Sequence, residues 1–153
     1  MRVDDSFWMS QAFNLAVKAQ EQGEVPVGAI LVSDNNCLVG RGWNKVVQTN
    51  DTTAHAEIVA IRDAGVTLAN YRLLNTTLYV TLEPCCMCAG ALIHARIKRL
   101  VFATRDFKAG AAGSIYNLLQ GYPLNHQVQI DEGCLQQQCA CLLTDFFNEN
   151  RSG

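Results

Sequence analysis

The 153-residue sequence has no basic N-terminal stretch followed by an apolar run. It opens MRVDDSFWMS, acidic and broken by polar residues, which does not read as a secretory signal peptide. Long hydrophobic runs are absent too: stretches such as AILV are far too short to cross a bilayer. There is no excess of positive charge. At a net charge of -2, any nucleic-acid binding must come from a local basic patch rather than from the chain as a whole. No internal repeat, low-complexity tract or interdomain linker is visible, so residues 1–153 are expected to form a single domain. The seven cysteines are odd in number and lack a secretion signal, which argues against a disulfide framework. Most of them are expected to be reduced and buried as small hydrophobes. What is present is 49% hydrophobic and 17% charged residues, enough to bury a substantial core. The expectation is a soluble cytoplasmic protein with no membrane contact.

Hydrophobic patterning and turn residues divide the chain into alternating elements. Ser6 is expected to cap a helix running to about Gln22, ended by Gly23. PVGAILVS and CLVGRGWN read as a hairpin around the turn DNN. Asp51, Thr52 and Thr53 offer cap oxygens for a helix over 54–64, with Gly65 as its stop. TLYVTLE is an apolar, β-branched run of the buried-strand type, and Pro84 after it suits a helix start. That helix runs to about Ala95, RLVFAT and QVQI are further strands, and a closing helix begins near Leu135. Strands alternating with helices after an opening hairpin predict an α/β fold, a three-layer α/β/α sandwich with a mixed central sheet and helices on both faces. The stretch 104–125, interrupted by Gly110, Gly113 and Gly121, is the longest irregular region, and such loops are often functional.

Two short motifs carry chemistry. In EPCCMC, Cys85 and Cys88 are three apart at a helix start, so they face one side, and the helix N-terminus favours their thiolates. In TAHAEIVA, His55 and Glu57 are two apart. Inside a helix they would point ~200° apart, but at its irregular start they can still converge. Two thiolates and one imidazole make three zinc ligands, and three protein ligands plus water mark a catalytic rather than a structural zinc. Glu57 is then free to handle protons next to the metal. A His-x-Glu alone is a weak signal, and a Cys-x-x-Cys alone reads equally as a thioredoxin-like pair. Together, both opening helices beside strand ends, they favour the metal. Cys86 is expected to point into the core, and His94 and His126 are expected to be ordinary surface or interface residues.

HAE with PCCMC resembles the zinc-dependent cytidine-deaminase superfamily, whose established signature is H-x-E…P-C-x-x-C. Within it, EVPVGAILV, GRGWN, NYRLLNTTLYVTLEPCCMCAGALIHARI and RDFKAGAAGS resemble the bacterial tRNA adenosine deaminases. Better-known members continue into a lysine- and arginine-rich tail, whereas this sequence ends NENRSG, so the resemblance gives no expectation for the affinity such a tail supplies. The resemblance implies one Zn²⁺ per subunit, a homodimer, and deamination of adenosine to inosine at the wobble position of a tRNA anticodon stem-loop. It makes Glu57 the catalytic proton shuttle, acting first as base and then as acid. It places Asn44 on the flipped nucleoside and Val27 and Leu82 as pocket walls; Ala56, Asp106, Lys108 and Phe147 are further expected substrate contacts, with Asp106 either in a local ion pair or turn cap or accepting from a ribose 2′-OH. Arg96, Lys98, Arg99, Arg105 and Lys108, interleaved with Phe102 and Phe107, form a basic run suited to a single-stranded loop. One of the adjacent Phe146 and Phe147 is free to stack on a base. Three rivals stand beside this reading: a free-base or nucleoside deaminase for guanine or cytosine on the same scaffold, an inactive tRNA-binding partner subunit, and a structural zinc module. The second would be expected to lack Glu57, and the third needs a fourth protein ligand.

Overall fold

The computed structural model describes residues 3–120 and 126–152; Gly121 to Asn125, the end of the expected irregular stretch, lie outside the described residues. The elements run α1 (Val3–Glu21), β1 (Gly28–Ser33), β2 (Leu38–Trp43), α2 (Val46–Thr49), α3 (Ala56–Leu68), β3 (Thr76–Leu82), α4 (Cys86–Ala95), β4 (Arg99–Thr104), β5 (Gln129–Glu132) and α5 (Gln136–Ser152). The five strands form one mixed sheet in the order β2-β1-β3-β4-β5. β1 is antiparallel to β2 and β3, while β3, β4 and β5 are parallel.

Strand alternation sends successive side chains to opposite faces, and each face meets its own helices. Ile30, Val32, Tyr79, Val101 and Ala103 pack with Met9, Ala12 and Leu15 of α1 and Cys139 of α5. Ala29, Leu31, Leu78, Val80, Leu100 and Phe102 pack with Ala56, Ala60 and Ala64 of α3 and Ala89 and Leu92 of α4. The three-layer α/β/α arrangement is therefore present. On the second face α3 lies very close to the sheet. A Cβ at Gly42 would run into the backbone of Ala56 and Ala60, so two small-residue surfaces set the helix tightly against β2. This close approach delivers the N-terminus of α3 to the ends of β2 and β3, where the site forms.

Several boundaries differ from the sequence expectation. Ser6 does not cap α1, which starts three residues earlier; Asp4 and Asp5 occupy its first turn, where acidic groups suit the helix dipole. Gly23, at φ +78, does follow its end. Gly65 does not stop α3: the helix passes through it to Leu68, and Ala69 takes the left-handed cap instead. β5 is shifted two residues later than QVQI, and the short α2 was not expected. The cysteines are mixed rather than mostly buried: Cys88, Cys134 and Cys139 are buried, but Cys37, Cys86 and Cys141 are exposed. Cys86 thus faces solvent, not the core, because α4 turns Cys88 and Ala89 inward from the same turn.

Candidate active site

His55 and Cys85 hold equivalent places. Each is the N-cap of its helix, in extended backbone conformation, and neither spends its side chain on capping. Asp51, Thr52 and Thr53 do not cap α3; Asp51 Oδ1 instead accepts from the N–H and hydroxyl of Thr53. The orphan N–H of Ala56 is taken by Asn44 Oδ1 at 2.8 Å, which leaves the His55 ring free to turn toward α4. Since His55 lies outside the helical turn, it and Glu57 are not bound by the angular separation of mid-helix neighbours.

His55 Nδ1 lies 3.6 Å from Cys85 Sγ and 3.5 Å from Cys88 Sγ. All three donor atoms fall within 4.8 Å of one another. Tetrahedral zinc, with bonds of ~2.3 Å to sulfur and ~2.0–2.1 Å to nitrogen, would hold N and S about 3.5 Å apart. The donor set fits that ion in chemistry and spacing, and among the described residues no fourth ligand joins it. The group is electrostatically primed. The Cys85 thiol is drawn down to about 3, first by the hydrogen bond from Cys88 and then by His55, against its burial. Cys88 is pushed up because it donates to that thiolate and is buried. His55 is raised by its hydrogen bond to Cys85, against desolvation.

Glu57, 4% exposed, is buried beside them. Burial pushes its carboxyl up to about 7, and the Cys85 thiolate adds to this, so it can hold or release a proton near neutrality. His55, Glu57 and Cys85 open onto a cavity of about 240 Å³. Val25, Val27 and Asn44 line it on the β1–β2 side, and Leu82, Glu83, Asp106 and Phe147 on the β3–β4 side. It is smaller than the ~300–1,000 Å³ typical of drug-sized ligands and suits one base or nucleoside.

The expected substrate residues therefore divide. Val27, Asn44, Leu82, Asp106 and Phe147 reach the cavity. Lys108 does not, but it borders the adjoining groove with Leu82, Asp106 and Phe147. Ala56 is fully buried and meets the site only through its N–H on Asn44. The expected basic run is broken up. Arg99 is buried on Asp5 and Asp131, Lys98 pairs with Asp34, Arg105 forks onto Glu132, and Phe102 is 1% exposed. Lys98 and Arg105 stay exposed but are ion-paired, Arg96 is half-buried, and Phe107, 74% exposed, and Lys108 keep a surface placement with no ion pair among the described residues.

Sequence reasoning missed Glu83. It is 2% exposed, yet its carboxylate accepts from the N–H groups of Asp106, Ala112 and Ser114 and from the Ser114 hydroxyl. Burial raises its pKa, but these donors outweigh burial and hold it below the usual range. Gly110 has no Cβ because the Glu83 carboxyl occupies that space. One side chain thus ties the loop after β4 to the β3–α4 connection that carries Cys85. Asp106 Oδ1 closes the same loop by accepting from the N–H groups of Lys108 and Ala109. A glutamate beside the Pro-Cys motif, with Gly110 and Gly113 downstream, was the available signal.

Comparison with known proteins agrees with this geometry. The chain is 50% identical over 147 residues to the tRNA-specific adenosine deaminase of Haemophilus influenzae, covering 96% of this chain and 85% of that one. A solved structure from work on A-to-I editing by tRNA:A34 deaminases at the wobble position of transfer RNA superposes with a TM-score of 0.86 at 40% identity, covering 90% of this chain and 99% of that one. The guanine deaminase of Bacillus subtilis superposes with a TM-score of 0.64 at 29% identity, covering 100% of this chain and 96% of that one. With residues 2–104 matching the cytidine and deoxycytidylate deaminase zinc-binding region, and His55, Cys85 and Cys88 at zinc-ligand spacing, the chain belongs to that deaminase family.

Proposed function

We propose that this protein hydrolytically deaminates adenosine to inosine at the wobble position of a tRNA anticodon. The observation that carries the reading is the triangle of His55, Cys85 and Cys88 opening onto a nucleoside-sized cavity with Glu57 buried in its wall. Zinc held by the three donors supplies Lewis acidity that lowers the pKa of water to ~7. Glu57 takes one proton from the attacking water and passes it to N1, then takes the second from the hydroxyl added at C6 and passes it to the departing amino group, so that water adds at C6 and ammonia leaves. Burial suits it to both roles. Asn44 is doubly placed: while holding the start of α3 it presents its side chain to the cavity, where we assign it to the flipped nucleoside. Val27 and Leu82 act as walls to the base, and Phe147 and Lys108 serve the neighbouring nucleotides. Asp106, with one oxygen already closing the turn, is assigned to a ribose 2′-OH, the group that distinguishes RNA from DNA. Ala56 contributes its backbone rather than its side chain.

The same reading takes the whole chain as one deaminase domain with one zinc per subunit, acting in the cytoplasm as a homodimer on an RNA-editing substrate. Support for the tRNA substrate comes from the Haemophilus relative's name and the higher likeness of the tRNA:A34 deaminase structure over the guanine deaminase. No helix among the described residues is long and apolar enough to cross a membrane. The test is incubation of the zinc-loaded protein with tRNA and sequencing of the wobble position, where inosine reads as guanosine. Ammonia release from free guanine or cytosine without change in the tRNA would overturn the reading in favour of a free-base deaminase.

A further inference from the structure

With Lys98, Arg99 and Arg105 committed to carboxylates, the cationic groups near the cavity are not those adjacent in the sequence. Lys18 Nζ from α1 and Lys45 Nζ from beyond β2 each lie 4.2 Å from the centroid of the Trp43 ring. Neither forms an ion pair among the described residues. Trp43 is itself braced, its indole N–H donating to Gln22 Oε1 at 3.0 Å. Trp43 ends β2, Asn44 follows it in the cavity wall, and the Lys45 N–H donates to the Ala54 carbonyl just before His55. The stack therefore stands at the catalytic end of the sheet, on its α1 face, one residue from Asn44 of the cavity wall. Lys108 stands on the β3–β4 side of the cavity. Each cation is attracted to the face of the ring, and the two repel each other. An anion bound to both would relieve that repulsion.

We propose that Lys18 and Lys45, braced on Trp43, form a phosphate clamp for the RNA backbone that leads to the flipped nucleotide. The ligand class is a phosphodiester, and the clamp rests on the tRNA-deaminase reading. It gives a chain of net charge -2 a local pair of cations, held by one ring and without carboxylate partners among the described residues, with which to hold a polyanion.

The experiment measures binding of a tRNA anticodon stem-loop to the zinc-loaded protein across a salt series. Each phosphate contact on single-stranded RNA contributes ~0.7 to the slope of log K against log salt. Lys18→Ala/Lys45→Ala is expected to lower the slope by ~1.4 and to weaken binding roughly 10–30-fold at 0.1 M salt, with zinc content unchanged. Lys18→Arg/Lys45→Arg is expected to restore the slope. Lys98→Ala, which removes a charge at the opposite end of β3, is expected to leave it as in the wild type. An unchanged slope in the double alanine variant, or an equal fall in Lys98→Ala, overturns the clamp. Wobble editing by the wild type in the same buffers separates the two readings. Editing with an unchanged slope overturns the clamp alone, and a wild type that neither binds nor edits overturns both.

Discussion

On the α1 face of the sheet, Arg99 places Nε on Asp131 and both terminal nitrogens on Asp5, at 2.8 Å each, and the Tyr79 hydroxyl adds a further bond to Asp5 at 2.8 Å. At the strand ends on the other side, His55, Cys85 and Cys88 aim their donor atoms at one shared point beside the buried Glu57. Both clusters place ionisable groups where water is scarce. In the first, the positive charge meets carboxylates directly, and the product is a pinned α1 and β5. In the second, the donors converge without a cation among the side chains, and the product is a place to hold one. Burial of polar groups thus has two outcomes, separated by whether the cluster is closed by its own members.

The comparison breaks most sharply at Glu57 and Cys88. Glu57→Gln removes the proton shuttle and leaves the donors, so turnover should fall by ~10²–10⁴ or more with zinc content retained. Cys88→Ala should lose zinc and stability together. Metal analysis alongside editing assays checks both, and loss of zinc from Glu57→Gln as readily as from Cys88→Ala would make Glu57 a ligand. In the closed cluster, Arg99→Ala leaves Asp5 buried without its main partner, which should cost about 3–5 kcal/mol by denaturant titration. Asp5→Leu/Arg99→Met should recover most of that loss. A stable Arg99→Ala protein with weakened RNA binding would instead return Arg99 to the substrate surface. The smallest effect is expected at Glu83, which links the site to its loop. Glu83→Gln replaces an acceptor oxygen with an NH₂ facing N–H groups, at about 1–3 kcal/mol. The amides of Asp106, Ala112 and Ser114 should exchange faster, and KM for RNA should rise more than kcat falls. Unaltered exchange there would show that the loop holds its shape without the carboxylate.

The metal site was legible because its spacing is local. Cys85 and Cys88 share one helical turn, and His55 and Glu57 straddle one helix start, so a few residues contain most of the geometry. The central strands were legible for a similar reason: β3 and β4 are continuous apolar runs that only a doubly covered sheet accommodates. The basic run failed because β4 passes through it. Strand alternation and burial separated Arg99 and Phe102 from Lys108, and the partner of Arg99 lies 94 residues away at Asp5. α3 outran its glycine because packing of Ala56, Ala60 and Ala64 against β2 outweighs the ~1 kcal/mol that Gly65 costs.

By itself the sequence determined the reaction class, through the residue types and short spacings that set a zinc triad beside a carboxylate. It also determined the layered α/β plan, through the periodicity of its apolar residues. Only the tertiary structure decided which charges remain available to a substrate. Charge availability depends on partners brought together by the sheet: Asp5 to Arg99, Asp34 to Lys98, Glu132 to Arg105, and Trp43 to Lys18 and Lys45. These contacts join distant segments, and their Coulombic and cation–π energies depend on distances of a few ångströms that no linear spacing encodes.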